Sequence, residues 1–209
     1  MLLNSRLYLV LDKDICRQNN VVDTLRQVNK GTIDLVQLRE KSACDRDFFR
    51  DAELIKQLCQ RQGIIFLIND RLDIARVCDA DGLHLGQSDL PLKQARRILG
   101  KGKIIGISCH SLTQAQKAQA QGADYISIGP IFSTLIKPDL KPINLKLIKI
   151  IDQKIKIPLF VIGGINSHNV NKVISYGAKR IALCRAICCA QNIRKAAQEL
   201  RDIIDCIGN

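Results

Sequence analysis

The sequence predicts a single-domain α/β protein in which eight parallel strands, each followed by a helix, close into a barrel. Three observations lead there. Short runs rich in Val, Ile and Leu alternate with helical stretches from one end of the chain to the other. Most of those runs are unbroken rather than alternating, as strands covered on both faces of a parallel sheet require. Eight such units in 209 residues come to about 26 residues each, the size of a compact (β/α)8 TIM barrel.

The strand candidates are residues 7–11, 33–38, 64–68, 82–85, 103–107, 125–128, 159–162 and 180–183. Between them, 45–62 carries Phe48, Phe49, Ala52, Leu54, Ile55 and Leu58 near helical spacing. A helix over 112–121 starts after Ser111, a good N-cap, and stops at Gly122, a good C-cap. Residues 169–176 follow Ser167 and stop at Gly177, and 192–204 close the chain. Gly63, Gly100, Gly102, Gly122 and Gly177 stand where helices turn back into strands. No linker or low-complexity stretch divides the chain. A doubly wound open sheet is the competing architecture, but its Gly-rich fingerprint is missing after the first strand.

Composition narrows the function. Hydrophobic residues make up 46% and the formal charge is +12, which suits a globular domain with a sizeable core. No apolar stretch approaches the roughly 18 residues of a membrane span. The start, MLLNSRLYLVLDKD, reads as a first strand rather than a signal peptide, so a cytoplasmic location is expected. Nine cysteines show no metal or disulfide spacing, and several lie in apolar runs, where reduced thiols act as small hydrophobes. The Lys and Arg are dispersed, and aromatics total only 4% without a single Trp. A nucleic-acid platform with stacking aromatics is therefore disfavoured. Phosphorylated small molecules fit the basic balance better, and assembly as a homo-oligomer is left open.

In such a barrel the chemistry sits at the C-terminal strand ends. Alternation along 35–41 puts Gln37, Arg39 and Lys41 on one side, a site for an anionic group. The next two strands end in Asn69-Asp70-Arg71 and Gly86-Gln87-Ser88-Asp89. Asp70 and Asp89 on successive strand ends suit Mg²⁺, which takes few carboxylates, several waters and substrate phosphates; helix capping is the plainer reading of each. His84 reads as a packed, hydrogen-bonded core residue and His168 as a surface residue. Ser108 offers a hydroxyl, and His110 an acid or base or a cap. No Asp completes a Ser–His–Asp relay. Gly163-Gly164 expose backbone suited to phosphate. Together these features suggest two phosphorylated groups.

Six motifs in order carry a family likeness: QLREK (37–41), INDR (68–71), ADGLHLGQSD (80–89), GISCH (106–110), GADYISIGPIFST (122–134) with Lys137, and IPLFVIGGI (157–165). Over about residues 6–190 the chain closely resembles thiamine phosphate synthase. The resemblance implies a Mg²⁺-dependent transferase. It joins 4-amino-2-methyl-5-hydroxymethylpyrimidine diphosphate to 4-methyl-5-(2-phosphoethyl)thiazole and releases pyrophosphate. Carried over, the segment Gln37, Leu38, Arg39, Glu40 and Lys41 holds the pyrimidine diphosphate with Asn69, Ser108 and Lys137. Arg39, Lys41, Ser108 and Lys137 take the catalytic roles. Asp70 and Asp89 bind Mg²⁺. Thr134, Leu135, Ile136, Gly164, Cys184 and Arg185 meet the thiazole phosphate. Two positions depart from the family pattern: Ile136 replaces a hydroxyl, and Arg185 stands where a Ser is usual. Two alternatives remain: a thiazole tautomerase of the same barrel using a histidine near His110, and a non-catalytic barrel that binds phosphorylated ligands.

Overall fold

The computed structural model of the chain describes residues 2–16, 20–136 and 139–206. In chain order the elements are β1 (Leu7–Asp12), α1 (Val21–Arg26), β2 (Leu35–Arg39), α2 (Asp45–Gln62), β3 (Ile65–Asn69) and α3 (Leu72–Val77). Then follow β4 (Gly82–Leu85), α4 (Leu92–Leu99), β5 (Ile104–Cys109), α5 (Leu112–Ala120), β6 (Tyr125–Ile128) and α6 (Lys146–Lys154). The chain closes with β7 (Leu159–Ile162), α7 (Val170–Ser175), β8 (Ile181–Leu183), α8 (Arg185–Cys188) and α9 (Ile193–Asp205). The strands pair in parallel and in sequence, and β8 returns to β1, giving a closed barrel. This is the (β/α)8 architecture the strand runs predicted. No helix among the described residues is long and apolar enough to cross a membrane.

β1, β3, β4, β6 and β8 are buried from end to end because each has one face in the barrel and one under the helices. Outward residues such as Leu9, Val36, Leu38 and Leu83 lie fully covered. Inward, Tyr8, Tyr125 and Phe160 meet edge to face, with ring centroids 5.3 to 6.0 Å apart. Gly106 makes room for this: a Cβ there would run into the Tyr125 ring. Six of the nine cysteines are buried and all are free; Cys44, Cys189 and Cys206 are exposed.

Strands β2, β4 and β6 begin with a repeated device. Asp34, just before β2, accepts from the Arg6 and Leu7 amides at 2.7 and 2.9 Å. Asp81 does the same for Phe66, at 2.8 Å, and Asp124 for Ile105, at 2.7 Å. Each carboxylate ties the start of its own strand to the start of the preceding one. Asp34 also meets the Arg201 guanidinium at 3.0 Å, which pins α9 beneath the β1–β2 seam. Residues 33 and 34, expected as strand, therefore lie in this junction.

The helix ends are partly as the sequence suggests. The Ser111 hydroxyl accepts from the Gln114 amide at 3.2 Å, and Gly122 takes the left-handed conformation after α5. Asn169, not Ser167, precedes α7. Asp70 and Asp89 do not cap helices: Arg71 and Pro91 occupy the positions before α3 and α4.

Within the expected binding segment, the Glu40 side chain takes a place apart from its neighbours. Its carboxylate turns outward into a buried pocket, 3.4 Å from the Lys13 ammonium, which also pairs with Asp51 at 3.0 Å. Burial pushes the Glu40 carboxyl up to about 7, against the pull of Lys13. Its Oε1 lacks a hydrogen-bond partner among the described residues.

Two outcomes follow. Asp34→Ala removes three partners at once and should lower the unfolding free energy by about 2–3 kcal/mol in urea titrations. A loss under about 0.5 kcal/mol would show that the seam does not depend on it. For Glu40 the native state binds the extra proton, so its stabilising contribution is complete below pH 4.5 and is lost as pH rises through about 7. Across that window the wild type should lose on the order of 2 kcal/mol more stability than Glu40→Gln. Identical pH profiles would contradict the raised value.

Candidate active site

A cavity of about 420 Å³ opens at the C-terminal ends of the strands. Strand parity builds its floor. Residues of one parity face the barrel axis, and the parallel register sets them side by side: Val10 by Gln37, Asp12 by Arg39, Asn69 by His84, Ser108 by Ser127. Gln37, Arg39, Asn69, His84, Ser108 and Ser127 all line the cavity. Leu38 has the opposite parity and is wholly buried against the helices. The side chains of Leu38 and Glu40 thus lie away from the cavity that the flanking residues form.

The cationic side is more fully paired than the sequence suggests. Arg39 is hydrogen-bonded to Asp12, which is 2% exposed. This pairing orients the guanidinium and makes the Arg39–Asp12 pair formally neutral as a unit. Lys41, half exposed, pairs with Asp70. Lys137 lies outside the described residues.

Asp70 and Asp89 come together beside this corner, as the strand-end reading required. Asp70 is one of two non-glycine residues at positive φ among the described residues, at 61°, an uncommon backbone state for a residue with a Cβ. Burial works to raise its carboxyl, but the hydrogen bond with Asp89 and the charges of Lys41 and Arg39 outweigh it and hold Asp70 below the ordinary carboxylate value. Burial, then the neighbouring Asp70, pushes Asp89 up. The Asp89 carboxylate is fixed by the Gly86 amide at 2.7 Å. Two carboxylates held this close repel unless a proton or cation lies between them. The donor set, two partly buried carboxylates near the strand ends, fits Mg²⁺ with substrate oxygens and water completing its shell. No group of three or more His, Cys, Asp or Glu suited to a metal occurs among the described residues, so a closed structural metal site is not built here.

The opposite wall is formed by loops. Thr134, Leu135, Ile136, Gly164, Cys184 and Arg185 line it, together with Asn166 and Cys189. Gly164 has φ 64°, and a Cβ there would sit 2.7 Å from Phe132 Cβ and from the Ser133 carbonyl. The glycine therefore lets this loop pack on the loop after β6. Ile136 packs partly buried against the core, and its amide donates to the Thr134 hydroxyl at 3.3 Å. The Ile136 side chain substitutes packing for the polar contact a hydroxyl would make.

Several lining residues were not singled out in the sequence. Tyr8 and Ser127 line the cavity and share the inward parity of Gln37 and Ser108, as does Asp12, which pairs with Arg39, so strand alternation was the signal that could have found them. His84 is the hydrogen-bonded core residue expected, yet it also faces the cavity. His110 lines the wall and its Nδ1 lies 2.5 Å from the Gly129 carbonyl; Ser111 does the capping. His168 is on the surface.

The family model described as thiamine monophosphate synthase matches residues 7–187. The thiamine-phosphate synthase of Clostridium acetobutylicum is 42% identical over 199 residues, covering 95% of this chain and 94% of that one. That of Syntrophomonas wolfei is 43% identical over 198 residues, covering 94% and 95%. Among solved structures, thiamine phosphate pyrophosphorylase from Pyrococcus furiosus superposes with a TM-score of 0.89 at 34% identity, covering 98% of this chain and 97% of that one. A 3-hexulose-6-phosphate synthase, at 17% identity and a TM-score of 0.65, shares the fold alone. A family match over most of the length, relatives above 40% identity and a barrel whose strand ends gather the expected side chains make one conclusion: the chain belongs to the thiamine monophosphate synthase family.

Proposed function

We propose that this chain, as a cytoplasmic enzyme, joins an aminopyrimidine methyl diphosphate to a thiazole phosphate in the cavity and releases pyrophosphate. The carrying observation is the corner where Arg39, Lys41, Asp70 and Asp89 converge. A departing diphosphate needs its growing negative charge neutralised at fixed positions. Asp70 and Asp89 would hold Mg²⁺, which would neutralise much of that charge.

The residues of the chain do the rest. Arg39 is held by Asp12 and can hydrogen-bond a diphosphate oxygen with its remaining N–H groups. Lys41 lies on the rim, paired to Asp70, and adds a mobile cation. Lys137 completes the cationic set in this reading. Gln37 and Asn69, buried at 4% and 8% exposure, present amides that orient the pyrimidine ring. Departure of the diphosphate leaves positive charge on the pyrimidine methylene, which the ring amino group supports. The thiazole nitrogen has its own lone pair and attacks without a base. The cavity therefore needs no nucleophilic side chain, only exclusion of water from the cation. Thr134, Leu135, Ile136, Gly164, Cys184 and Arg185 would hold the thiazole phosphate on the far wall.

Two outcomes test this division. EDTA should abolish pyrophosphate release from the two substrates and excess Mg²⁺ should restore it; release untouched by EDTA would remove the metal from the reading. Arg39→Ala, made with Asp12→Asn so that no buried charge is stranded, should raise KM for the pyrimidine diphosphate by about tenfold or more. KM for the thiazole phosphate should stay near its wild-type value. Equal rises for both substrates would contradict separate halves.

A further inference from the structure

Beneath the cavity a hydrogen-bonded chain crosses the barrel through five strands. The Gln37 amide nitrogen donates to the Tyr8 hydroxyl. The Tyr8 and Tyr125 hydroxyls lie 3.0 Å apart, Tyr125 Oη is 2.7 Å from His84 Nδ1, and His84 Nε2 is 2.9 Å from Ser108 Oγ. Tyr8, Gln37, His84 and Tyr125 are each at most 5% exposed. Ser108 stands at the upper end, on the cavity wall.

A buried hydroxyl has one proton and must place it on an acceptor. Tyr8 already receives the Gln37 N–H, so its own proton goes to Tyr125. The Tyr125 proton then goes to His84 Nδ1. With Nδ1 accepting, the neutral imidazole carries its proton on Nε2 and donates it to Ser108. The Ser127 hydroxyl, 3.4 Å from Ser108 Oγ and 3.5 Å from His84 Nε2, also donates to Ser108. With the Gln37 nitrogen turned to Tyr8, a proton donated from Tyr125 to Tyr8 would leave the Tyr8 hydroxyl with no acceptor side chain among the described residues. The Gln37 nitrogen on Tyr8 thus sets the direction of every link up to Ser108.

We infer that His84, aligned by Tyr125, is a positioning residue that fixes Ser108 as a hydrogen-bond donor toward the substrate. Ser108 accepts from below, so its own O–H points into the cavity. An outward-pointing hydroxyl proton suits an anionic oxygen of the diphosphate. The same polarity stops His84 from acting as a base on Ser108, although their 2.9 Å spacing is that of a nucleophile and its base. This rests on the reading that the diphosphate-bearing substrate meets Ser108.

The test has two arms that fail separately. Nitrogen-15 spectra of histidine-labelled protein, with His84 assigned by its loss in His84→Phe, should show the neutral Nε2–H tautomer. A Nδ1–H tautomer or an imidazolium would overturn the inference, whether or not the protein turns over. The wild-type spectrum can also be assigned by the response of the His84 signal to Tyr125→Phe, should His84→Phe not fold. In the pyrophosphate-release assay, Ser108→Ala and His84→Phe should each lower kcat by about tenfold or more. Their double variant should be no slower than Ser108→Ala alone. His84→Gln, whose amide can accept from Tyr125 and donate to Ser108, should recover part of the loss. Losses that multiply in the double variant, or no recovery with Gln, would overturn the inference. Wild-type protein that releases no pyrophosphate while showing the Nε2–H tautomer would instead count against the proposed reaction.

Discussion

Strand parity in a closed parallel barrel is the constraint on which the rest depends. Each strand alternates its side chains, and closure of β8 onto β1 fixes the register of every neighbour. A one-residue slip of β2 would turn Gln37 and Arg39 into the helix layer and Leu38 into the cavity. The junction aspartates Asp34, Asp81 and Asp124 oppose such a slip in three strand pairs, because each carboxylate accepts amides at the start of the preceding strand. Stability at the bottom of the barrel and chemistry at the top are thus two ends of one register.

The polar residues so gathered differ sharply in what they are paired with. Arg39 leans on a buried Asp12 and is oriented by it. Asp70 holds Lys41 on one side and Asp89 on the other. Removing a member from such a set leaves another charge without its partner, which costs more than the lost contact alone. The opposite wall works by shape: Gly164 lets two loops touch, and Ile136 fills space against the core. In the proposed reaction the charged corner would suit the departing diphosphate, and the far wall, shaped by Gly164 and Ile136 and carrying Arg185, the thiazole phosphate.

Most of the architecture was legible because buried parallel strands leave unbroken apolar runs. The boundaries of 82–85, 125–128 and 159–162 coincide with β4, β6 and β7. Helix α2, with 18 residues, was long enough for its spacing to show. Helices α1, α3 and α8, of six, six and four residues, span under two turns and leave no periodicity to read. At the site, Gln37, Arg39, Asn69 and Ser108 were found because polar residues interrupt apolar strands. Glu40 and Leu38 belonged to the same motif, yet their parity sends them outward. Tyr8 and Tyr125 were invisible as polar groups because a phenol counts as apolar in a strand pattern, and only three dimensions show their hydroxyls meeting His84. The ion pairs of Arg39 and Lys41 join different strands, so no local spacing announced them.

The central claim is that Asp70 and Asp89 form one cation site against which the diphosphate is held. Diffraction at a manganese-sensitive wavelength from crystals soaked with Mn²⁺ and pyrophosphate tests it most directly. The account predicts one anomalous peak between the two carboxylates, with pyrophosphate bridging it to Arg39. Pyrophosphate seated against Gly164 and Arg185 with no peak at the aspartates would contradict it.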